Sequence, residues 1–120
     1  MIERSYPVLR IDDYEEAKIF YIDFLGFEIE FEWRHVENFP VYMGLLRGDL
    51  GLHLTEHRGD LDGGGGAYFR VKSVPALYEE IKARRPEMEE EPIEQAWGST
   101  ELKLCDPFGN KMVFASPTPK

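Results

Sequence analysis

Three histidines and one cysteine are the side chains of this 120-residue chain best suited to bind a metal or attack a substrate. His53 and His57 are four residues apart, a spacing that on a helix would place both imidazoles on one face. Residues 50–55 alternate as a strand does, however, and strand residues four apart lie about 13 Å from each other. The pattern therefore favours a solvated or hydrogen-bonded His53 over a metal ligand, although His53 could still touch a ligand.

The cysteine content limits the chemistry further. Cys105 is the only cysteine, so no intramolecular disulfide can form and a paired-cysteine zinc site is excluded. It stands beside a turn, which favours a structural role over a nucleophilic one. No local pattern suggests a Ser-His-Asp or Cys-His pair. Enzyme activity is thus uncertain from the residue types, and the balance leans against it.

Aromatic and acidic side chains are the remaining candidates. Trp97 stands beside Gly98, where its ring could either offer a face to a flat ligand or pack into the core. Residues 27–33 alternate strictly, which predicts an apolar face and an acidic face. The apolar face would hold Phe27, Ile29, Phe31 and Trp33, and the acidic face Glu28, Glu30 and Glu32. Such carboxylates could meet the cations of a ligand, but a solvated strand face is the commoner case.

The composition excludes several classes of partner. The net charge of −9 and the pI near 4.8 argue against nucleic acid, and an acidic surface attracts cationic ligands besides favouring solubility. No run approaches the ~18 apolar residues of a transmembrane helix. Residues 1–5 lack the apolar core of a signal peptide. We therefore expect a cytoplasmic protein that has neither nucleic acid nor membrane as a partner.

Apolar residues recur with the periods of strands and helices along the whole chain. Asp12 or Asp13 would cap the first helix, Gly26 would end it, and Ser73 would cap the second. Each half then contains one strand, one helix and about three strands. The predicted strands are 6–11, 27–33, 41–46, 50–55, 67–71, 100–105 and 111–115, with a short segment at 92–95; the predicted helices are 14–25 and 74–85.

This order predicts an α+β fold of two βαβββ modules within one domain. The modules span residues 1–57 and 67–120, and the glycine-rich residues 58–66 link them. Neither module can bury its sheet alone. We expect the two to form a curved mixed sheet that a homodimer completes, with or without domain swapping.

Several motifs together resemble one known family. The first half carries Pro7-Val-Leu9, Phe20-Tyr21 and Leu25-Gly-Phe27, and the second half carries Glu94-Gln-Ala-Trp-Gly98 and Asp106-Pro-Phe-Gly-Asn110. With these the chain resembles the vicinal-oxygen-chelate superfamily of glyoxalase I, extradiol dioxygenases, fosfomycin-resistance enzymes and bleomycin-resistance proteins. The Glu-Gln-x-Trp-Gly motif before the last hairpin is most similar to the bleomycin-resistance branch.

The resemblance implies a binding protein rather than a metal enzyme. Metal enzymes of the superfamily carry ligands on the first strand of each half and on the last strand. The matching positions are Tyr6, Gly66 or a neighbour, and Val113, and none suits a divalent cation. We therefore expect no metal or cofactor, and a protein that sequesters a cationic, aromatic-bearing antibiotic of the bleomycin type. The alternatives are a metal enzyme with displaced ligands, such as His53 with Glu101, and a paralogue that binds another metabolite.

The resemblance also implies the residues that contact the ligand. Trp97 and, from the partner subunit, Tyr42 match the two aromatics between which the drug's heteroaromatic tail stacks. Phe39 neighbours Tyr42, in a loop at 34–40 that is longer than the family's. The other matching cavity positions are Phe31, Glu30 and Tyr68. The expected ligand contacts are thus Trp97, Tyr42, Phe39, Phe31, Glu30 and Tyr68, together with His53 from the analysis above.

Overall fold

Two four-stranded sheets and two helices make up the computed structural model, which describes residues 4–57 and 64–119. The first sheet has the strand order β1-β4-β3-β2 and the second the order β5-β8-β7-β6, so the two halves repeat one topology. In each sheet the first two strands of this order are parallel to each other, and the other neighbouring pairs are antiparallel. The strands are β1 (Val8–Arg10), β2 (Glu28–Arg34), β3 (Val41–Arg47), β4 (Leu50–Thr55), β5 (Gly66–Arg70), β6 (Ile93–Glu94), β7 (Ser99–Cys105) and β8 (Lys111–Pro117).

The predicted α+β fold class is confirmed, and nearly every predicted element is present within one to three residues. The division into modules 1–57 and 67–120 stays a prediction, and residues 58–63 of the expected linker lie outside the described residues. In residues 4–57 and 64–119, no helix is long and apolar enough to cross a membrane.

The first helix, α1 (Tyr14–Lys18), continues directly as a π-helical segment, Ile19–Phe24. Its start follows the predicted chemistry, because the Asp13 carboxylate accepts a hydrogen bond from the Glu16 N–H. Gly26 follows its end with the expected left-handed φ of +80°. The sequence did not predict the π-helical segment, because apolar residues four positions apart lie on the same side of an α-helix and of a π-helix.

The second helix, α2 (Val74–Arg84), is capped by Ser73, whose hydroxyl accepts from the Ala76 N–H. Its apolar stripe, with Val74, Leu77 and Ile81, is buried. The core lies between the helices and one face of each sheet. Its largest fully buried members are Tyr21, Phe27, Phe114, Leu9, Ile11, Leu25, Met43, Leu45, Leu52, Leu54, Ile81 and Leu102.

Strand β2 does not have the single apolar face that its alternation predicts. Ile29 pairs with the buried Leu45, but Phe31 pairs with Gly44, so the register shifts by one at Glu30. An extra residue in a strand moves every following side chain to the other face. Phe31 and Trp33 therefore lie on the opposite face from Ile29, and the expectation that Phe27, Ile29, Phe31 and Trp33 share one face is wrong.

The turn Asp106-Pro-Phe-Gly-Asn110 joins the two halves through buried hydrogen bonds. Asp106 Oδ2 accepts from the Tyr21 hydroxyl at 2.6 Å and from Asn110 Nδ2 at 2.8 Å. Asn110 Nδ2 also donates to the Arg10 carbonyl, and its Oδ1 accepts from the Gly65 N–H, each at 2.7 Å. Burial, and next the adjacent Asp106 carboxylate, raise the pKa of the Tyr21 phenol far above its ordinary value. The turn therefore supplies one set of polar contacts between the halves.

A group of three charged side chains forms a second connection. Glu80 on α2 accepts two hydrogen bonds from the Arg47 guanidinium, at 2.7 and 2.8 Å, and lies 2.8 Å from Arg84. Arg47 also donates to the Leu25 carbonyl, and Arg84 donates to the Phe24 carbonyl. These carbonyls lie at the end of the first helix, where backbone oxygens lack partners within the helix. The Arg47 hydrogen bonds lower the pKa of Glu80 to about 2.

We expect Asn110→Ala to lower the free energy of unfolding by about 2–4 kcal/mol, because the Gly65 N–H and the Arg10 carbonyl lose their side-chain partner and the buried Asp106 carboxylate loses one of its donors. Urea denaturation measures the loss. Lys111→Ala, at the exposed neighbouring position, should change stability by no more than about 0.5 kcal/mol. Equal midpoints for the two variants would show that the turn does not hold the halves together.

We expect Glu80→Gln to cost stability only above acid pH. Because the folded pKa of Glu80 is lowered to about 2, its contribution is present above the unfolded value of 4.5 and disappears as the pH falls toward 2. The cost near pH 7 should be about 1 kcal/mol, because the partly exposed pair is screened by water. Thermal unfolding of wild type and variant between pH 7 and pH 2 measures it. A gap that persists unchanged at pH 2 contradicts this assignment, and Glu79→Gln on the same helix controls for net charge.

Candidate ligand-binding site

The first sheet turns one face to the core, and aromatic side chains occupy its other face. We call this second surface the first open face; it comprises Tyr6, Phe31, Tyr42 and His53. The Tyr42 hydroxyl lies 2.9 Å from His53 Nδ1. The Phe31 ring stacks over Tyr42 at 6.3 Å and meets His53 edge-on at 5.3 Å. Tyr6 covers His53, with ring centroids 4.5 Å apart.

Two glycines allow these rings to lie flat on the sheet. A Cβ atom at Gly44 would stand 2.3 Å from the Phe31 ring, and one at Gly51 would stand 2.6 Å from the Tyr6 ring. Glycine inside a strand often marks such a close approach. The sequence analysis did not predict Tyr6 as a site residue. The feature of the sequence that could have identified it is Gly51, the strand glycine against which its ring packs.

Burial on this face favours the neutral form of the His53 imidazole. Burial lowers its pKa below the ordinary value, while the charge of Glu30 at the β2 bulge acts in the opposite direction. With Nδ1 occupied by the Tyr42 hydroxyl, Nε2 has no hydrogen-bond partner among the described residues. The face therefore offers flat rings and one free nitrogen, with an exposed carboxylate nearby.

The second sheet has a corresponding surface, the second open face, formed by Tyr68, Ile93, Ser99 and Glu101. Glu101 is only 5% exposed, and its Oε2 accepts from the Tyr68 hydroxyl at 2.8 Å and from Ser99 Oγ at 3.2 Å. Ile93 pairs directly with Glu101 on the neighbouring strand. Tyr68 and Ile93 are more than half exposed. Glu101 was considered only as a displaced metal ligand, and Ser99 was not predicted at all.

Trp97 lies in the turn between β6 and β7. Gly98 takes a φ of +89°, and the Gly98 N–H donates to the Gln95 carbonyl. The Trp97 side chain is 70% exposed. The alternative that this ring packs into the core is therefore wrong, and its faces are accessible from solvent.

Phe39 is separate from both open faces. It lies in the loop between β2 and β3, where its ring packs against His35 at 5.9 Å. It also borders a polar cavity of about 520 Å³, lined by Arg10, Asp12, Tyr14, Arg34, Asn38, Phe39, Pro40 and Glu56. The structure thus brings Phe31, Tyr42 and His53 together beside Glu30. Tyr68 lies on the second sheet, and Trp97 lies in the turn beside that sheet. Phe39 is close to neither group. Ligand contact by these seven residues stays a prediction.

The residues at the family's metal positions do not fit a divalent cation. Tyr6 packs on His53, and Val113 pairs with Tyr68. His53 and Glu101, the alternative ligands, belong to different sheets. Across residues 4–57 and 64–119, no three or more His, Cys, Asp or Glu side chains converge as metal ligands would.

Comparisons with known proteins agree with this architecture. Residues 1–118 match the family described as glyoxalase superfamily protein. A crystal structure of a bleomycin-binding protein complexed with bleomycin shares 26% identity with this chain, with a TM-score of 0.74 over 96% of this chain and 98% of the other. Comparison with curated proteins finds no match.

Two further structures extend the comparison. A bleomycin resistance determinant encoded on transposon Tn5 has a TM-score of 0.77 and 26% identity, over 97% of this chain and 98% of the other. A glyoxalase-related enzyme from Clostridium phytofermentans has a TM-score of 0.74 over 98% of this chain and 96% of the other. At 16% identity, this last similarity concerns the fold alone.

We expect Gly44→Ala to displace the Phe31 ring, because the added methyl group would stand 2.3 Å from it. Since Phe31 is at the surface and can move, the cost in stability should be about 1 kcal/mol. Nuclear Overhauser contacts between Phe31 and Tyr42 should disappear. Gly66→Ala is the control, because its methyl group would have no neighbour nearer than 3.7 Å. Retention of those contacts in Gly44→Ala would contradict the flat packing of Phe31.

Proposed function

The chain belongs to the glyoxalase superfamily, and we propose that it is a binding protein that sequesters a cationic small molecule bearing aromatic rings, of the bleomycin type, without a metal. The observation that carries this proposal is the set of exposed aromatic rings on and beside the two open faces. Phe31, Tyr68 and Trp97 are between 38% and 70% exposed. Large exposed apolar groups on an uncovered sheet face are typical of a binding surface.

The electrostatics favour a cation. The protein carries a net charge of −9, which raises the local concentration of positively charged molecules. Glu30 borders the first open face, and Glu101 lies within the second. Aromatic faces add attraction for a cation, of about 0.5–2 kcal/mol for each well-placed ring. Flat rings and carboxylates together suit a ligand that is both aromatic and positively charged.

A homodimer is part of the proposal. Each sheet has a face that no element of residues 4–57 and 64–119 covers, and the molecule extends 52 Å along its longest axis. The aromatic groups that we expect to hold the ligand lie on different sheets, Tyr42 on the first and Trp97 beside the second. A second chain that places its second open face against the first open face would bring such rings together and form a cleft, and symmetry would generate two clefts.

The relatives in the bleomycin branch support the choice of ligand. At 26% identity a bleomycin-binding protein covers almost the whole chain, and the Trp97 turn carries the motif that resembles that branch. No arrangement in the described residues favours a metal enzyme. A paralogue that keeps the fold and binds another metabolite is the competing proposal.

We expect metal-free bleomycin to quench the fluorescence of Trp97 on binding. Trp33→Phe leaves Trp97 as the only tryptophan and should retain both quenching and affinity. Trp97→Ala should weaken binding about 30-fold or more, because truncating a stacked tryptophan costs at least about 2 kcal/mol. Absence of binding to the wild type would favour the paralogue, and a stoichiometric divalent ion in the purified protein would contradict the metal-independent proposal.

A further inference from the structure

The second open face contains a buried carboxylate, that of Glu101, with no ionic partner among the described residues. Glu101 is 95% shielded from solvent, yet it lies on the side of β7 away from the core residues Leu102 and Leu104. Its partners are two neutral hydroxyls, those of Tyr68 and Ser99. In residues 4–57 and 64–119, no lysine or arginine forms an ion pair with it.

The absence of a cation is notable because positive side chains are near. Lys103 is two residues along the same strand and therefore on the same face. Arg70 lies across Ala115, which pairs with both Arg70 and Glu101. A buried carboxylate normally recruits such a neighbour, because an unpaired charge is costly to bury. Here both cations remain exposed, and the carboxylate keeps neutral donors.

The hydrogen bonds of Glu101 leave one oxygen for a ligand. Both hydroxyls donate to Oε2, so the carboxylate is held in one orientation. Oε1 accepts no hydrogen bond among the described residues, and it is not one of the polar atoms sealed from solvent. The Tyr68 ring, 55% exposed, and Ile93, 58% exposed, stand beside it. The turn that holds Trp97 leads directly into Ser99.

We infer that Glu101 is the residue that binds the cationic group of the ligand, an ammonium or a guanidinium. Oε1 accepts the charge-assisted hydrogen bond, Tyr68 and Ser99 fix the carboxylate, and the ring of Tyr68 provides a cation–π contact. This assignment rests on the proposed function and sharpens it, since it makes positive charge, rather than aromatic character alone, the basis of selectivity. It also makes Glu101, more than the exposed Glu30, the specificity-determining residue.

A pair of probes with the same ring and opposite charge tests this assignment. Calorimetry should show that tryptamine binds the wild type and that indole-3-propionate does not compete with it. Glu101→Gln keeps the size of the side chain and an oxygen for the two hydroxyls but removes the charge. It should weaken tryptamine and bleomycin about 10- to 100-fold. Glu79→Gln, on the exposed side of α2, removes the same charge elsewhere and should bind as the wild type does.

Thermal unfolding separates a binding role from a structural one. If Glu101 serves the ligand, Glu101→Gln should unfold at the same temperature as the wild type or higher, because a charge with no ionic partner is no longer buried. A lower unfolding temperature with unchanged affinity for tryptamine would overturn the assignment. If the wild type and Glu101→Gln bind bleomycin equally while Trp97→Ala does not, the proposed function holds and the role of Glu101 fails. If the wild type binds tryptamine through Glu101 but does not bind bleomycin, only the choice of ligand fails.

Discussion

The buried hydrogen bonds of Asp106 and Asn110 are the interaction on which the rest of the structure depends. One carboxylate and one amide connect the last hairpin with the first strand, the first helix and the start of β5. Because the side chains of Tyr21, Asp106 and Asn110 are buried, their polar groups must find partners or cost stability. These hydrogen bonds therefore help to fix how the two halves pack. The family's Asp-Pro-x-Gly-Asn motif is thus explained by a junction rather than by ligand contact.

That junction determines what the two sheets present to solvent. The two helices pack on the core side of the sheets. The charged group of Arg47, Glu80 and Arg84 holds the end of the first helix against the second half. The opposite sides stay open and carry the aromatic rings. The two open faces differ in chemistry, since one centres on the His53 imidazole and the other on the Glu101 carboxylate, which has hydroxyl partners but no cation in the described part of the chain. This division suits a ligand with separate aromatic and cationic parts.

The polar groups are used differently in the two regions. In the junction, donors and acceptors satisfy each other completely, as groups that serve stability do. On the open faces, the Nε2 of His53 and the Oε1 of Glu101 have no hydrogen-bond partner in the described part of the chain. Neither atom is sealed from solvent, so both remain available to a ligand beside the exposed rings.

The sequence by itself determined the order of strands and helices, the caps at Asp13 and Ser73, the left-handed Gly26 and the metal-poor character of the family positions. These are local properties, because periodicity, capping and turn preference depend on residues within a few positions of each other. Tertiary structure decided which residues meet. A single bulged residue at Glu30 reversed the face of Phe31, and Tyr6 and Glu101 acquired their roles from partners more than 30 residues away. Strand register and cross-strand packing are set by the whole sheet, so no local pattern contains them.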